Sequence, residues 1–346
     1  SHMSRAIRER GQKTVFFTGP GHGGPSLTAA SWLEGTWHEA YPDTPQDAHG
    51  MRTLFRRFSS PGGIPSHVSV TTPGSIHEGG ELGYVLIHAF GAVMDNPDLL
   101  ALAVVGDGEA ETGPLEGSWK GISFINPERD GAVLPILHLN GYKIAGPTVL
   151  ARKDHHEVRS LLEGHGYDVF EVSGDDLPGM HHRFAKTLDA ALDRIKEIQQ
   201  EVRTNGFKER PRWPMIILRS PKGWTGPENV DGVQVTDSWR AHQVPLSGVK
   251  GNPEHLAILG KWMREYRPEE LFDDTGAPVD LVLSNNPEGD LRMSANPSAN
   301  GGLLAEDLSL RGFQNYGVAV DSPATERMES PRALGALMRD IYVDNP

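Results

Sequence analysis

The stretch 99–105, "LLALAVV", is apolar at every position and runs directly into Gly106-Asp107-Gly108. Successive side chains of a strand point to opposite faces, so a strand apolar throughout must be covered on both. That is the situation of a strand inside a parallel sheet layered with helices. Similar apolar runs recur at 133–139 ("VLPILHL") and 215–220 ("MIILRS"), with shorter ones at 15–17 and 167–172. Helical spacing fills 81–94, 114–125, 155–164 and 178–203 between them. In the last, Phe184, Leu188, Leu192, Ile195, Ile198 and Val202 form one stripe that reads as core, and Asn205-Gly206 stops the helix. The alternation predicts an α/β fold, a parallel sheet with helices on both faces.

Ligands of such sheets sit beyond the carboxyl ends of the strands. The loops 18–24, 106–112, 140–146 and 220–226 each follow a strand and are predicted to converge on one crevice. Glycine before Asp107 permits a sharp turn, and glycine after it lets a phosphorylated ligand approach the backbone. Asp107 offers a hard oxygen ligand. Asn140, about one βαβ crossover later, offers an amide oxygen at a neighbouring strand end. With the Tyr142 carbonyl they make a donor set suited to Mg²⁺ (or Ca²⁺) bridging a diphosphate. "GDG" alone is also what a plain turn looks like; its pairing with "LNGY" after a second strand favours the site.

Net charge is −13 and the sequence pI about 5.6, which disfavours nonspecific binding to nucleic acid or to anionic membrane. The absence of cysteine excludes disulfides and thiolate metal sites, and it fits a reducing cytoplasm. No apolar run approaches the roughly 18 residues of a membrane span, and no secretory signal pattern opens the chain. Ser1-His2-Met3 reads as a cloning scar outside the fold. Beyond about 230 proline, glycine, asparagine and acids dominate, with helices only near 253–265 and 331–342 and a turn-rich loop at 296–302. Residues 4–230 therefore read as one domain, and 231–346 as an irregular linker region that wraps it or reaches a further one.

"GDGEAETG" followed by "LNGYKI" resembles the thiamine diphosphate signature of transketolase-like enzymes. "GPGHGGP" (19–25), "FSSPGGIPSHVSVTTPGSIHEGGELGY" (58–84), "SPKGWTGP" (220–227) and "RAHQVPL" (240–246) are similar to the phosphoketolase family acting on xylulose 5-phosphate and fructose 6-phosphate. The resemblance implies a thiamine diphosphate-binding fold and cleavage of a ketose phosphate by inorganic phosphate, giving acetyl phosphate and an aldose phosphate. It implies catalytic roles for His22, His67 and His242, and cofactor contacts from Glu78, Gly80, Gly106, Asp107, Gly108, Asn140 and Lys222. It assigns the metal to Asp107, Asn140 and Tyr142.

The family's longer members are expected to be homodimers. Their pyrimidine-binding domain, with the glutamate that activates the cofactor, and an N-terminal segment with a further histidine have no counterpart here, so this chain is expected to be inactive alone. Blander readings stand beside these. His155-His156 and His181-His182 read as solvated helix starts, Lys222 also fits a surface cap, and Glu109 and Glu111 fit either groups behind the ligands or a solvated loop. A general transketolase-like enzyme and a non-catalytic cofactor-binding or assembly module pairing with a separate pyrimidine domain are the alternative functions. A nicotinamide-binding protein is disfavoured, because "GPGHGG" lacks an acidic ribose partner.

Overall fold

The computed structural model describes residues 1–242, 244–299 and 308–345. Five strands form one sheet: β1 (Thr14–Thr18), β2 (Leu100–Gly106), β3 (Ala132–Leu139), β4 (Tyr167–Ser173) and β5 (Trp213–Arg219). Their order is β1-β2-β3-β5-β4, and every pairing is parallel. β2, β3 and β5 are buried along nearly their whole length, so both faces of the central sheet are covered, as their unbroken apolar runs require. The helix Val85–Val93 packs against β2 and β3, and the long helix Leu177–Asn205 against β4 and β5. From the latter helix Leu188, Leu192, Ile195 and Ile198 enter the core, as the sequence stripe predicts. Asp176 caps that helix by accepting from Gly179 N, and Gly206, at φ 77°, ends it.

The register positions the site. β2 pairs Gly106 with His138 of β3, so the first residue beyond β2 is Asp107 and the first beyond β3 is Asn140. Both loops therefore leave the sheet side by side at its carboxyl edge.

Several elements carry weak sequence signals. A helix covers His2–Arg10, and Met3, Ala6 and Ile7 are buried in the main core. Met3 therefore packs within the fold rather than outside it, because the helix turns its apolar side inward and its arginines toward Asp189 and Asp193. Further helices at Gly24–Glu34, Thr36–Ala40 and Ala48–Arg57 build a second small core around Trp32, Trp37, Leu54 and Ile64.

The chain divides into two compact units, Ser1–Leu303 and Leu304–Pro346. The expected boundary near 230 lies inside the first unit, because buried polar contacts hold the later segment to the helical layer. Glu34 accepts from the backbone N–H groups of Met293 and Ser294 and from Ser294 Oγ, and Asn296 donates to Thr14 O at 3.1 Å. Of the expected turn-rich loop 296–302, residues 300–302 lie outside the described residues, as does Gln243. In the second unit the helix Ser330–Asp344 carries Asp340 and Asp344, which Arg311 bridges.

Candidate functional site

The four loops converge at the carboxyl end of the sheet on one cavity of about 1190 Å³. β1 ends where Gly19 N donates to Val104 O, and a 3₁₀ turn at Gly21–Gly23 then aims His22 inward. Gly21 is required by contact rather than by dihedral, since a Cβ there would lie 2.0 Å from Gly79 O. The backbone of Gly21 also accepts from Val68 N, and Gly79 N donates to Val68 O, so His67 is drawn to the same wall as His22. Gly80 lines the cavity with its backbone, and a Cβ there would meet no protein atom within 4 Å.

Asp107 is 2% exposed. Its Oδ2 accepts from Gly141 N at 2.7 Å and from Thr148 Oγ1 at 3.1 Å, and its Oδ1 from Gly108 N. Burial pushes its pKa up, and the donors from Gly141 and Thr148 oppose that. Asn140 Oδ1 accepts from Tyr142 N, which curls the loop so that Asn140 and Tyr142 both line the cavity with Asp107. Glu111 accepts from Lys143 Nζ and from Val149 N, clipping the 106–112 loop to the 140–149 loop.

Lys222 reaches in from the loop after β5. It is 7% exposed, donates to Tyr142 O at 3.0 Å, and lies 3.3 Å from His242 Nδ1. Gly223, at φ 71°, allows this approach, because a Cβ would strike Ala241 at 2.6 Å. The rings of His22 and His242 meet edge to face with centroids 4.9 Å apart. Burial, then the neighbouring His242, Lys222, His67 and His138, push His22 down to about 4. Burial lowers His242 and Lys222 as well.

The structure thus brings His22, His67, His242, Gly80, Gly106, Asp107, Gly108, Asn140, Tyr142 and Lys222 to one cavity. Glu78 is the exception among the sequence-predicted contacts. It is absent from the cavity wall, and its Oε1 accepts from Val70 N at 2.9 Å and Ser69 Oγ at 3.1 Å. The side chain of Glu78 turns to the Ser69-Val70 loop, while Gly79 and Gly80 line the cavity.

Sequence reasoning missed His138, which sits on the wall with Nε2 3.1 Å from Ser220 Oγ, and Thr148, which holds Asp107. The Gly106–His138 register was the available signal for the first. Glu109 is buried on the wall, not solvated, and burial pushes its pKa up to about 7. His155 stands exposed at a helix start, beside Glu171, as expected. His181 is likewise exposed near the start of its helix and bonds His2.

A divalent cation with a diphosphate fits these residues. One buried carboxylate, one amide oxygen and one backbone carbonyl are hard oxygen donors in a number that leaves positions for phosphate oxygens and water. No group of three or more His, Cys, Asp or Glu side chains with metal-site geometry occurs among the described residues.

Comparison with known proteins identifies the lineage. The family model for the XFP N-terminal domain matches residues 1–304. The chain belongs to the phosphoketolase family. It is 57% identical to a probable phosphoketolase of Streptomyces coelicolor over 99% of this chain and 43% of that protein. It is 55% identical to probable phosphoketolase 2 of a Nostoc species, over 98% of this chain and 43% of the relative. The chain therefore spans less than half the length of these relatives. Among solved structures, a transketolase from Pichia stipitis superposes with a TM-score of 0.53 at 15% identity, covering 82% of this chain and 36% of that one. One from Leishmania mexicana gives 0.50 at 17% identity over 82% of this chain and 37% of the other, so this chain has the transketolase-like fold. The family model ends at 304, beside the division between the two compact units.

Proposed function

We propose that this chain supplies the diphosphate-binding half of a phosphoketolase active site. In the whole protein that site cleaves xylulose 5-phosphate, and also fructose 6-phosphate, with inorganic phosphate to acetyl phosphate and an aldose phosphate. The reading rests on one observation: the metal-type donors Asp107, Asn140 and Tyr142 share a cavity with His22, His67, His242 and Lys222. Asp107, Asn140 and the Tyr142 carbonyl would hold Mg²⁺ or Ca²⁺, with the backbones of Gly80, Gly106 and Gly108 beside the diphosphate. Thiamine diphosphate, when bound, supplies the carbanion that opens the ketose carbon–carbon bond.

The chain's own residues bind and move protons. His22, held neutral by its surroundings, accepts a proton from a substrate hydroxyl, and His67 on the same wall orients that hydroxyl. Lys222 brings positive charge to the anionic ligands and, through its contact with His242 Nδ1, orients that ring. Burial of Asp107 and Lys222 strengthens their interactions with the ligand. We place the whole protein in the cytoplasm as a homodimer, the reading its phosphoketolase relatives favour.

Calorimetric titration of thiamine diphosphate, with and without Mg²⁺, tests the binding half of this reading. Metal-dependent binding that disappears in Asp107→Ala supports it; metal-independent binding indifferent to the substitution refutes it. An acetyl phosphate assay on the purified chain tests the other half. No product above background is expected, and robust phosphate-dependent product would show that the site is complete in this chain.

A further inference from the structure

Three glycines from three separate segments meet at one carboxylate. Glu109 is 2% exposed; its Oε1 accepts from Gly83 N at 3.0 Å and its Oε2 from Gly106 N at 3.4 Å. A Cβ on Gly19 would lie 2.0 Å from Oε2. Gly19 opens the loop after β1, Gly83 closes the segment that carries Gly79 and Gly80, and Gly106 immediately precedes Asp107. Among the described residues no cationic side chain acts on Glu109; burial and these two main-chain donors account for its environment. A buried carboxyl without a cation is unfavourable, and an apolar side chain would fill the same volume without that penalty. What only an acceptor pair provides is satisfaction of two main-chain N–H groups that face a single point.

We infer that Glu109 is the positioning residue of the proposed diphosphate site, holding the Gly80 segment and the Gly106–Asp107 turn at a fixed separation so that both address the same ligand. The inference rests on the proposed function. It assigns Glu109 no contact with metal or cofactor.

The test uses the whole chain with Mg²⁺ and thiamine diphosphate as the titrant. Glu109→Ala weakens binding roughly tenfold or more, the scale of leaving a buried main-chain donor unpaired, at temperatures where circular dichroism shows a folded chain. Glu109→Gln, which keeps an oxygen for Gly83 N, loses less. Gly19→Ala weakens binding in the native background and has a smaller effect when residue 109 is already alanine, because the closest atom its methyl group strikes, Glu109 Oε2 at 2.0 Å, is gone and only the Val85 Cγ1 contact at 2.8 Å remains. Binding by Glu109→Ala as tight as that of the native chain overturns the inference, and so do strictly additive effects of the two substitutions. If the native chain binds no cofactor, the proposed function fails instead. Hydrogen exchange then decides on Glu109: protection of the Gly83 and Gly106 amides is lost together in Glu109→Ala, or the inference is wrong.

Discussion

The two ends of the central sheet share one core and differ in where they keep their charges. At the amino end a hollow of about 630 Å³ is lined by Arg10, Lys13, Asp98, Lys196 and Arg203 among others. There Arg10 pairs with Asp193, and Arg203 donates to the carbonyls of Pro97 and Pro127, arrangements that tie helices to strand ends near solvent. At the carboxyl end the cavity is nearly twice as large, and Asp107, Glu109 and Lys222 on its wall are buried. Taking a charge out of water costs several kcal/mol unless something repays it. At the amino end the buried carboxylate, Asp130, accepts from the backbone N–H groups of Asp95 and Asn126 and lies outside the hollow, whereas at the carboxyl end buried ionisable groups line the cavity itself, which marks that end as the working one.

Loss of ligand binding is the sharpest way to break that contrast. Asp107→Ala is expected to weaken Mg²⁺-dependent thiamine diphosphate binding at least about 100-fold, since removing even a residue behind a ligand commonly costs about 10–100-fold. Arg203→Ala, at the amino end, leaves the titration unchanged. Equal losses from the two would erase the distinction.

Backbone crowding gives the next largest effect. Gly21→Ala forces a methyl group onto Gly79 O and is expected to destabilise the chain by about 3 kcal/mol in urea unfolding. Gly11, at the amino end, has a φ of 62° and open space around its missing Cβ. Gly11→Ala therefore costs only the left-handed backbone strain, about 1 kcal/mol. If both cost the same, close backbone approach is not what the glycines of the cavity provide.

The working end was more legible in the sequence than its support. Runs such as 99–105 and 133–139 declare a doubly covered strand, and the first polar residues after them, Asp107 and Asn140, fall at the site by parallel register. Local periodicity fixes those positions. The direction of Glu78 and the burial of Glu109 had no such trace, because both depend on which loop lies behind, a tertiary matter. The link between Glu34 and Ser294 spans most of the chain, and polar contacts at such separation leave no pattern in either segment. Composition after 230 therefore read as linker although 231–299 packs within the first unit.

Burial at the carboxyl end also has a pH signature. His77, behind β1 against Phe17, is pushed down to about 4 by burial and then by His88, whose Nδ1 lies 2.9 Å from its own. The unfolded chain binds a proton near pH 6.5 that the folded chain refuses until about pH 4. Stability from this group is complete above pH 6.5 and is lost as the pH falls toward 4. Between pH 7.5 and 5 the loss is about 2 kcal/mol. His77→Gln removes that dependence, and the two chains should differ in the slope of their urea-unfolding free energy against pH. Parallel slopes would mean that the imidazole is not sequestered.

The smallest expected effect sharpens the comparison from the other side. Arg10 joins the first helix to the long helix through Asp193 at 2.6 Å and Asp189 at 3.4 Å, and its side chain remains partly exposed. Solvent screens such pairs, and fixing long side chains offsets their attraction, so a typical pair contributes about 0–1 kcal/mol. Arg10→Ala should shift the urea midpoint by the equivalent of about 0.5 kcal/mol, with less shift in high salt. Arg5 grips Asp189 with two further bonds, which keeps the helix seated after the substitution. Cofactor titration of this variant should overlay that of the native chain. A large loss of stability, insensitive to salt, would show that the charges of the amino end are as deeply committed to the fold as those around Asp107.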